Sequence, residues 1–112
     1  MINTNDYTVL IAEDNFELRN DFAGLLCEKG FEVIECCDGE ELYEKALNFN
    51  KDFNRLIILS DTDMPRLYGD EACYELLKDK RFREVIIIGM SDNPSNENMW
   101  KDIGVWNSFI FK

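Results

Sequence analysis

The sequence predicts an α/β fold: a doubly wound sheet of five parallel strands with helices between them. Three observations predict it. Short apolar runs alternate with amphipathic stretches along the chain. The runs ending at Ser60 and Met90 are apolar almost throughout, as strands buried on both faces of a parallel sheet must be. A chain of 112 residues that is 46% hydrophobic fits a single domain, residues 1–112, with its own core.

The elements follow in order. Thr8–Ala12 reads as a short apolar strand. Residues 16–29 carry Leu18, Phe22, Leu25 and Leu26 at helical spacing, with Asp14 or Asn15 as cap and Gly30 as stop. Residues 31–36 form the second strand, and Asp38-Gly-Glu-Glu41 reads as a capping box opening a helix with Leu42, Tyr43, Ala46 and Leu47 inward. Residues 56–60 are the third strand, and residues 65–68 a turn. Residues 69–78 form a helix with Ala72, Cys73, Leu76 and Leu77 on one side. Residues 84–90 are the fourth strand. The Asn93-Pro94-Ser95-Asn96 break then starts a helix carrying Met99, Trp100 and Ile103, which Gly104 ends. Residues 108–111 form the fifth strand, followed by Lys112. Each crossover is expected to be right-handed.

Charge and composition exclude several functions. The net charge of −11, from 12 basic and 23 acidic residues, argues against a nucleic-acid surface, which needs basic patches. No apolar run approaches the ~20 residues that span a bilayer, so no membrane role is expected. The first residues show neither a basic nor an apolar leader region, and a cytoplasmic location is expected. Cys27, Cys36, Cys37 and Cys73 have no C-x-x-C spacing and read as reduced thiols. The chain has no histidine. That removes Ser-His-Asp and Cys-His nucleophilic sites and every His-based metal site. Any phosphohistidine in its chemistry belongs to another molecule.

The chemistry concentrates at strand ends. In RLIILSDTDMP an apolar run breaks into acids at Asp61, and the first strand breaks in the same way at Glu13 and Asp14. In open parallel sheets, ligands bind beyond the carboxyl ends of strands. Glu13, Asp14, Asp61 and Ser91 come there from three separate strands. Mg2+ takes hard oxygen ligands and keeps several waters, so Asp14, Asp61 and Glu13 suffice to hold it. Taken singly, Asp14 suits a helix cap and Asp61 a turn. Their joint placement favours a metal pocket. Lys112, at the end of the fifth strand, can pair with a carboxylate or a phosphoryl oxygen. Ser91 can donate to the same oxygens, and Phe109 reads by default as core.

Four motifs in order, VLIAEDN, ILSDTDMP, IIIGMSD and FIFK, resemble the receiver domain of two-component response regulators from about Thr8 to Lys112. The resemblance implies a flavodoxin-like strand order, 2-1-3-4-5. It also implies Glu13 and Asp14 as Mg2+ positioners and Asp61 as phospho-acceptor and metal ligand. By the same resemblance the Asp63 main-chain carbonyl is a further metal ligand, Ser91 and Phe109 are switch residues, and Lys112 contacts the phosphorylated site. The implied function is acceptance of a phosphoryl group from a sensor histidine kinase or phosphotransfer protein, switching a protein-interaction surface. Autodephosphorylation is compatible with it, but turnover catalysis is not implied.

The chain departs from the family pattern in several places. Asp92 follows Ser91 where a small residue is usual, and Asp63 adds a second carboxylate beside Asp61. The stretch from Gly104 to Lys112 is one residue longer than usual, which a bulge near Trp106 would absorb. A fifth helix is missing. One sheet face is then left to the first helix, to be covered by a homodimer, by an output domain, or by more of a longer protein. Two other readings stand beside this one. One is a pseudo-receiver that acts by contact alone, without phosphorylation. The other is a haloacid-dehalogenase-type phosphatase using Asp61-Thr62-Asp63 as its D-x-D motif, with Asp63 as general acid. That family needs a much longer chain after the motif.

Overall fold

The structure is a computed structural model that describes residues 3–103 and 107–112. Strand and helix alternate as β1 (Thr8–Ala12), α1 (Phe16–Glu28), β2 (Glu32–Cys36), α2 (Gly39–Leu47), β3 (Leu56–Asp61), α3 (Gly69–Leu76), β4 (Ile86–Ser91), α4 (Asn96–Ile103) and β5 (Ser108–Phe111). All neighbouring strands pair in parallel, in the order β2-β1-β3-β4-β5. This is the expected doubly wound, flavodoxin-like sheet. β1 and β3 lie inside it and are apolar on both faces, as their sequences require.

Two cores lie on opposite faces of the sheet. Leu10, Ala12, Ile58 and Ile87 meet α2, α3 and α4 through Leu42, Ala46, Ala72, Leu76 and Trp100. On the other face Val9, Ile11, Leu59 and Met90 pack against Phe22 and Leu26 of α1. Among the described residues α1 is the one helix on that face, and it lies closest to β1 and β2. Toward β4 and β5 the apolar cover thins out. Ile57 and Ile88 are half-buried, and Ile86 and Ile110 are exposed. The open face, expected around the first, third and fifth strands, lies instead on β3, β4 and β5, while β1 is buried throughout.

Local chemistry sets the helix ends. The Asn15 side chain accepts from the Leu18 N–H at 3.1 Å and so chooses between the two candidate caps of α1. Gly30 takes a φ of 98°, a conformation that favours glycine, just beyond the end of the helix. Asp38 caps α2 by accepting from the Glu41 N–H at 2.7 Å, but the reciprocal bond differs from a capping box. The Glu41 carboxylate accepts from the Cys37 N–H at 2.9 Å, one residue earlier than the pattern specifies.

Other boundaries shift by one or two residues. α3 ends at Leu76 rather than residue 78, and β4 starts at Ile86 rather than residue 84. Leu25, expected inward, is 56% exposed, and Ala23 is buried on α1 instead. The buried stripe of α1 is narrower than the sequence spacing suggests. Three short 3-10 turns, Thr4–Asp6, Phe53–Arg55 and Lys80–Phe82, were not expected. Each is opened by an Asx side chain (Asn3, Asp52 or Asp79) that accepts from the N–H two residues on. They are too short to carry a readable period. The helix stop at Gly104 and the bulge near Trp106 fall outside the described residues.

Candidate functional site

Five chain segments meet at the carboxyl edge of the sheet. β1 runs into Glu13, whose N–H donates to the Cys36 carbonyl at 3.1 Å and extends the ladder by one residue. The chain then turns into α1. In that turn the Asn15 N–H donates to Glu13 Oε2 at 3.1 Å, and Arg19 Nη1 donates to the Glu13 carbonyl at 2.8 Å. Glu13 is thus held at both its side chain and its backbone, and it is 1% exposed. Asp61 is the last residue of β3, in register with Met90 of β4. Beyond β5 the Lys112 N–H donates to the Ser91 carbonyl at 2.8 Å, which fixes where its side chain starts.

That register brings distant charges together. Lys112 Nζ lies 2.7 Å from Glu13 Oε1 and 3.1 Å from Asp61 Oδ1. Carboxylate oxygens of Glu13, Asp14 and Asp61 lie within 4.8 Å of one another. Asp14 is exposed, whereas the other two acids are buried. Glu13, Asp14, Asp61, Asp63, Asp92 and Lys112 line a cleft of about 400 Å³, together with Asn15 and Leu18. An all-oxygen donor set with a net negative field fits a hard divalent cation such as Mg2+.

The titration of Asp61 reflects that field. Burial is the largest cause lifting its carboxyl from the usual 3.8 to about 6, and the Glu13 carboxylate adds to it. The Lys112 ammonium and the Thr62 backbone pull the other way without cancelling the rise. For Lys112 itself burial acts to lower the pKa, but its hydrogen bonds to Glu13 and Asp61 outweigh this and raise it.

The consequence for stability has a definite sign. The folded pKa of Asp61 exceeds its unfolded value, so this group supports the fold fully below the usual 3.8 and loses that support as pH rises through about 6. Relative to the metal-free wild type, Asp61→Asn is expected to gain up to about 3 kcal/mol on going from acid to neutral pH. Mg2+, which favours the ionised carboxylates, is expected to raise the wild-type midpoint at about pH 8 and barely move it at about pH 5. Urea melts of both proteins across this range, with and without Mg2+, check both statements. A gap that stays constant with pH would contradict the first.

The remaining predicted residues stand close by but differ in role. Asp63 is exposed in the cleft, and its Oδ2 accepts from Asn96 Nδ2 at 3.0 Å. Ser91 is buried, and its Oγ accepts from Asn93 N–H at 2.9 Å and from Asn96 Nδ2 at 2.7 Å. Ser91 is not among the residues lining the cleft. Phe109 is half-buried against the α2–α4 core.

Sequence reading missed four residues that shape the site. Asn96 bridges Asp63 and Ser91. Trp100 Nε1 donates to Thr62 Oγ1 at 2.8 Å, and Thr62 Oγ1 donates to the Met90 carbonyl at 2.8 Å. Gly69 packs on the Asp61 carbonyl. Asn96 had one available signal, a capping-type residue five positions after Ser91, but nothing in the spacing shows that its amide reaches back.

Known proteins bear on this geometry. PdtaR, a transcriptional regulatory protein of Mycobacterium tuberculosis, is 36% identical over 71% of this chain, and the chain spans 37% of its length. TrrA of Thermotoga maritima, solved in complex with Mg2+–BeF, has the same fold, with a TM-score of 0.81 at 23% identity over 95% of this chain and 86% of that one. The receiver domain of sensor histidine kinase PA1611 from Pseudomonas aeruginosa was solved with a magnesium ion in its active-site cleft. It matches with a TM-score of 0.82 at 25% identity over 95% of this chain and 84% of that one. The model of the response regulator receiver domain family matches residues 9–112, nearly the whole chain, so this protein belongs to that family.

Proposed function

We propose that residues 1–112 are a phospho-accepting receiver domain of a cytoplasmic two-component pathway. A sensor histidine kinase or a phosphotransfer protein donates the phosphoryl group to Asp61. One observation carries this reading: a buried Asp61 at a strand end, with Glu13, Asp14 and the Lys112 ammonium around it. In the transfer an Asp61 carboxylate oxygen attacks phosphorus, the P–N bond to the donor imidazole breaks, and the imidazole takes up a proton.

Glu13, Asp14, Asp61 and the Asp63 main-chain carbonyl would hold Mg2+, which supplies positive charge for the phosphoryl oxygens when bound. Lys112 offers a second positive charge, as a point charge already seated between two carboxylates. Ser91 donates a hydrogen bond to the phosphoryl group, and Phe109 moves with it to change the surface that a partner reads. The product is a signalling state rather than a released molecule, so this is not a turnover enzyme. A homodimer, an output domain or further chain would cover Ile86, Ile88 and Ile110.

The second reading, a pseudo-receiver, draws on Asp63 and Asp92, two exposed acids in the cleft that repel an incoming phosphoryl group. Intact-mass measurement after acetyl phosphate treatment separates the two. The first reading expects one added phosphoryl group that requires Mg2+. An unchanged mass in the presence of Mg2+ favours the pseudo-receiver.

A further inference from the structure

Asn96 is 4% exposed and forms the first residue of α4. Its single amide group donates to two functional positions at once, Asp63 Oδ2 at 3.0 Å and Ser91 Oγ at 2.7 Å. A hydroxyl oxygen has two acceptor sites, and both of Ser91's are filled, one by Asn96 and one by the Asn93 N–H. What remains to Ser91 is one O–H to donate. A phosphoryl oxygen is an acceptor, so the chemistry suits it. The position does not, because Ser91 lies outside the cleft lining and is buried.

The turn before α4 has its own support. Asn93 Oδ1 accepts from both the N–H and the hydroxyl of Ser95, at 3.1 and 2.8 Å. α4 is pinned a second time through Trp100, which is fully buried and donates to Thr62. The turn and the later part of α4 therefore have supports other than the Asn96 amide. Its distinctive contribution is the bridge between Asp63 and Ser91.

We propose that Asn96 is a positioning residue that clamps Ser91 and Asp63 in the unphosphorylated arrangement and ties the start of α4 to that arrangement. The inference rests on the reading of Asp61 as phospho-acceptor. To reach a phosphoryl group on Asp61, the Ser91 hydroxyl must leave the Asn96 amide. The clamp thus opposes the switch, and release of Ser91 frees the first turn of α4.

Two measurements test it. In the first, beryllofluoride with Mg2+ is titrated into the protein and followed by Trp100 fluorescence, with Trp106→Phe as the common background. Asn96→Ala is expected to bind about fivefold more tightly, the effect of removing one competing hydrogen bond. In a Ser91→Ala background that gain is expected to vanish, because no hydroxyl is left to release. A merely structural role predicts the same change in both backgrounds, and that result, or unchanged or weaker binding by Asn96→Ala, overturns the proposal. Asn96→Ser, which stays polar but is too short to bridge both partners, carries the same comparison if Asn96→Ala does not fold.

The second measurement needs no modification of Asp61. In the unmodified protein the Asn96 side-chain amide resonances are expected to move on Ser91→Ala and on Asp63→Ala. If neither substitution moves them the clamp is absent, whatever Asp61 does. If both move them while beryllofluoride leaves the wild type unchanged, the clamp stands and the phospho-acceptor reading fails.

Discussion

Asp61→Asn is expected to abolish all Mg2+-dependent modification by acetyl phosphate, the largest functional effect of any single substitution in this chain. The reason is chemical rather than steric. The amide is nearly the same size as the carboxylate, and Asn can keep a contact with Lys112. It offers no anionic oxygen to attack phosphorus, and it removes one of three clustered carboxylates that could hold a metal ion. The variant should fold, since the charge it removes is one that burial and Glu13 disfavour. Loss of modification in a variant at least as stable as the wild type would therefore isolate the chemistry. Intact mass, read alongside a urea melt, provides the check. Normal metal-dependent modification of Asp61→Asn would sink the assignment of the acceptor.

Gly69→Ala is expected to be the most damaging small substitution near the site. A Cβ added there would lie 1.9 Å from the Asp61 carbonyl oxygen and 2.3 Å from Ser60 Oγ. The first of these is backbone inside a central strand and cannot swing away. Gly69 also donates its N–H to the Thr62 carbonyl at 2.9 Å, which closes the loop after Asp61 onto the start of α3. Relieving the clash means moving either β3 or α3. A loss of about 3 kcal/mol or more is expected from such overpacking. The folded remainder should accept phosphoryl groups poorly, because the displaced atoms belong to Asp61 itself. Gly24→Ala is the matched control. Nothing lies within 4 Å of the added Cβ on exposed α1, so that variant should be as stable as the wild type or gain about 0.5–1 kcal/mol. Equal stability of the two variants would refute the close-approach argument.

These substitutions differ in how far the sequence foretells them. Asp61 is visible as an acid that ends an apolar run, and the end of a buried strand is a place that sequence periodicity locates well. Gly69 is visible only as the start of a helix. That its missing side chain is what lets α3 approach Asp61 depends on a contact across the turn. The two candidate caps of α1, Asp14 and Asn15, are equal in propensity. The structure gives the cap to Asn15 and leaves Asp14 exposed, with a carboxylate oxygen within 4.8 Å of those of Glu13 and Asp61. Leu25 fits a helical stripe by spacing, yet it faces out, and Ala23 is buried on α1 instead.

Alternating apolar periods, two acid-terminated strands and the order of four motifs determined the parallel sheet, its edge of carboxylates and the family. These are local properties, written in residue type and spacing. The tertiary structure decided which side chains meet. It seated Lys112 between Glu13 and Asp61, turned Ser91 toward Asn96 rather than into the cleft, and left the β4–β5 end of one sheet face thinly covered. Pairs such as Glu13 with Lys112 lie almost a full chain length apart. Only sheet register brings them within hydrogen-bond reach, and no period in the sequence encodes a distance across the fold.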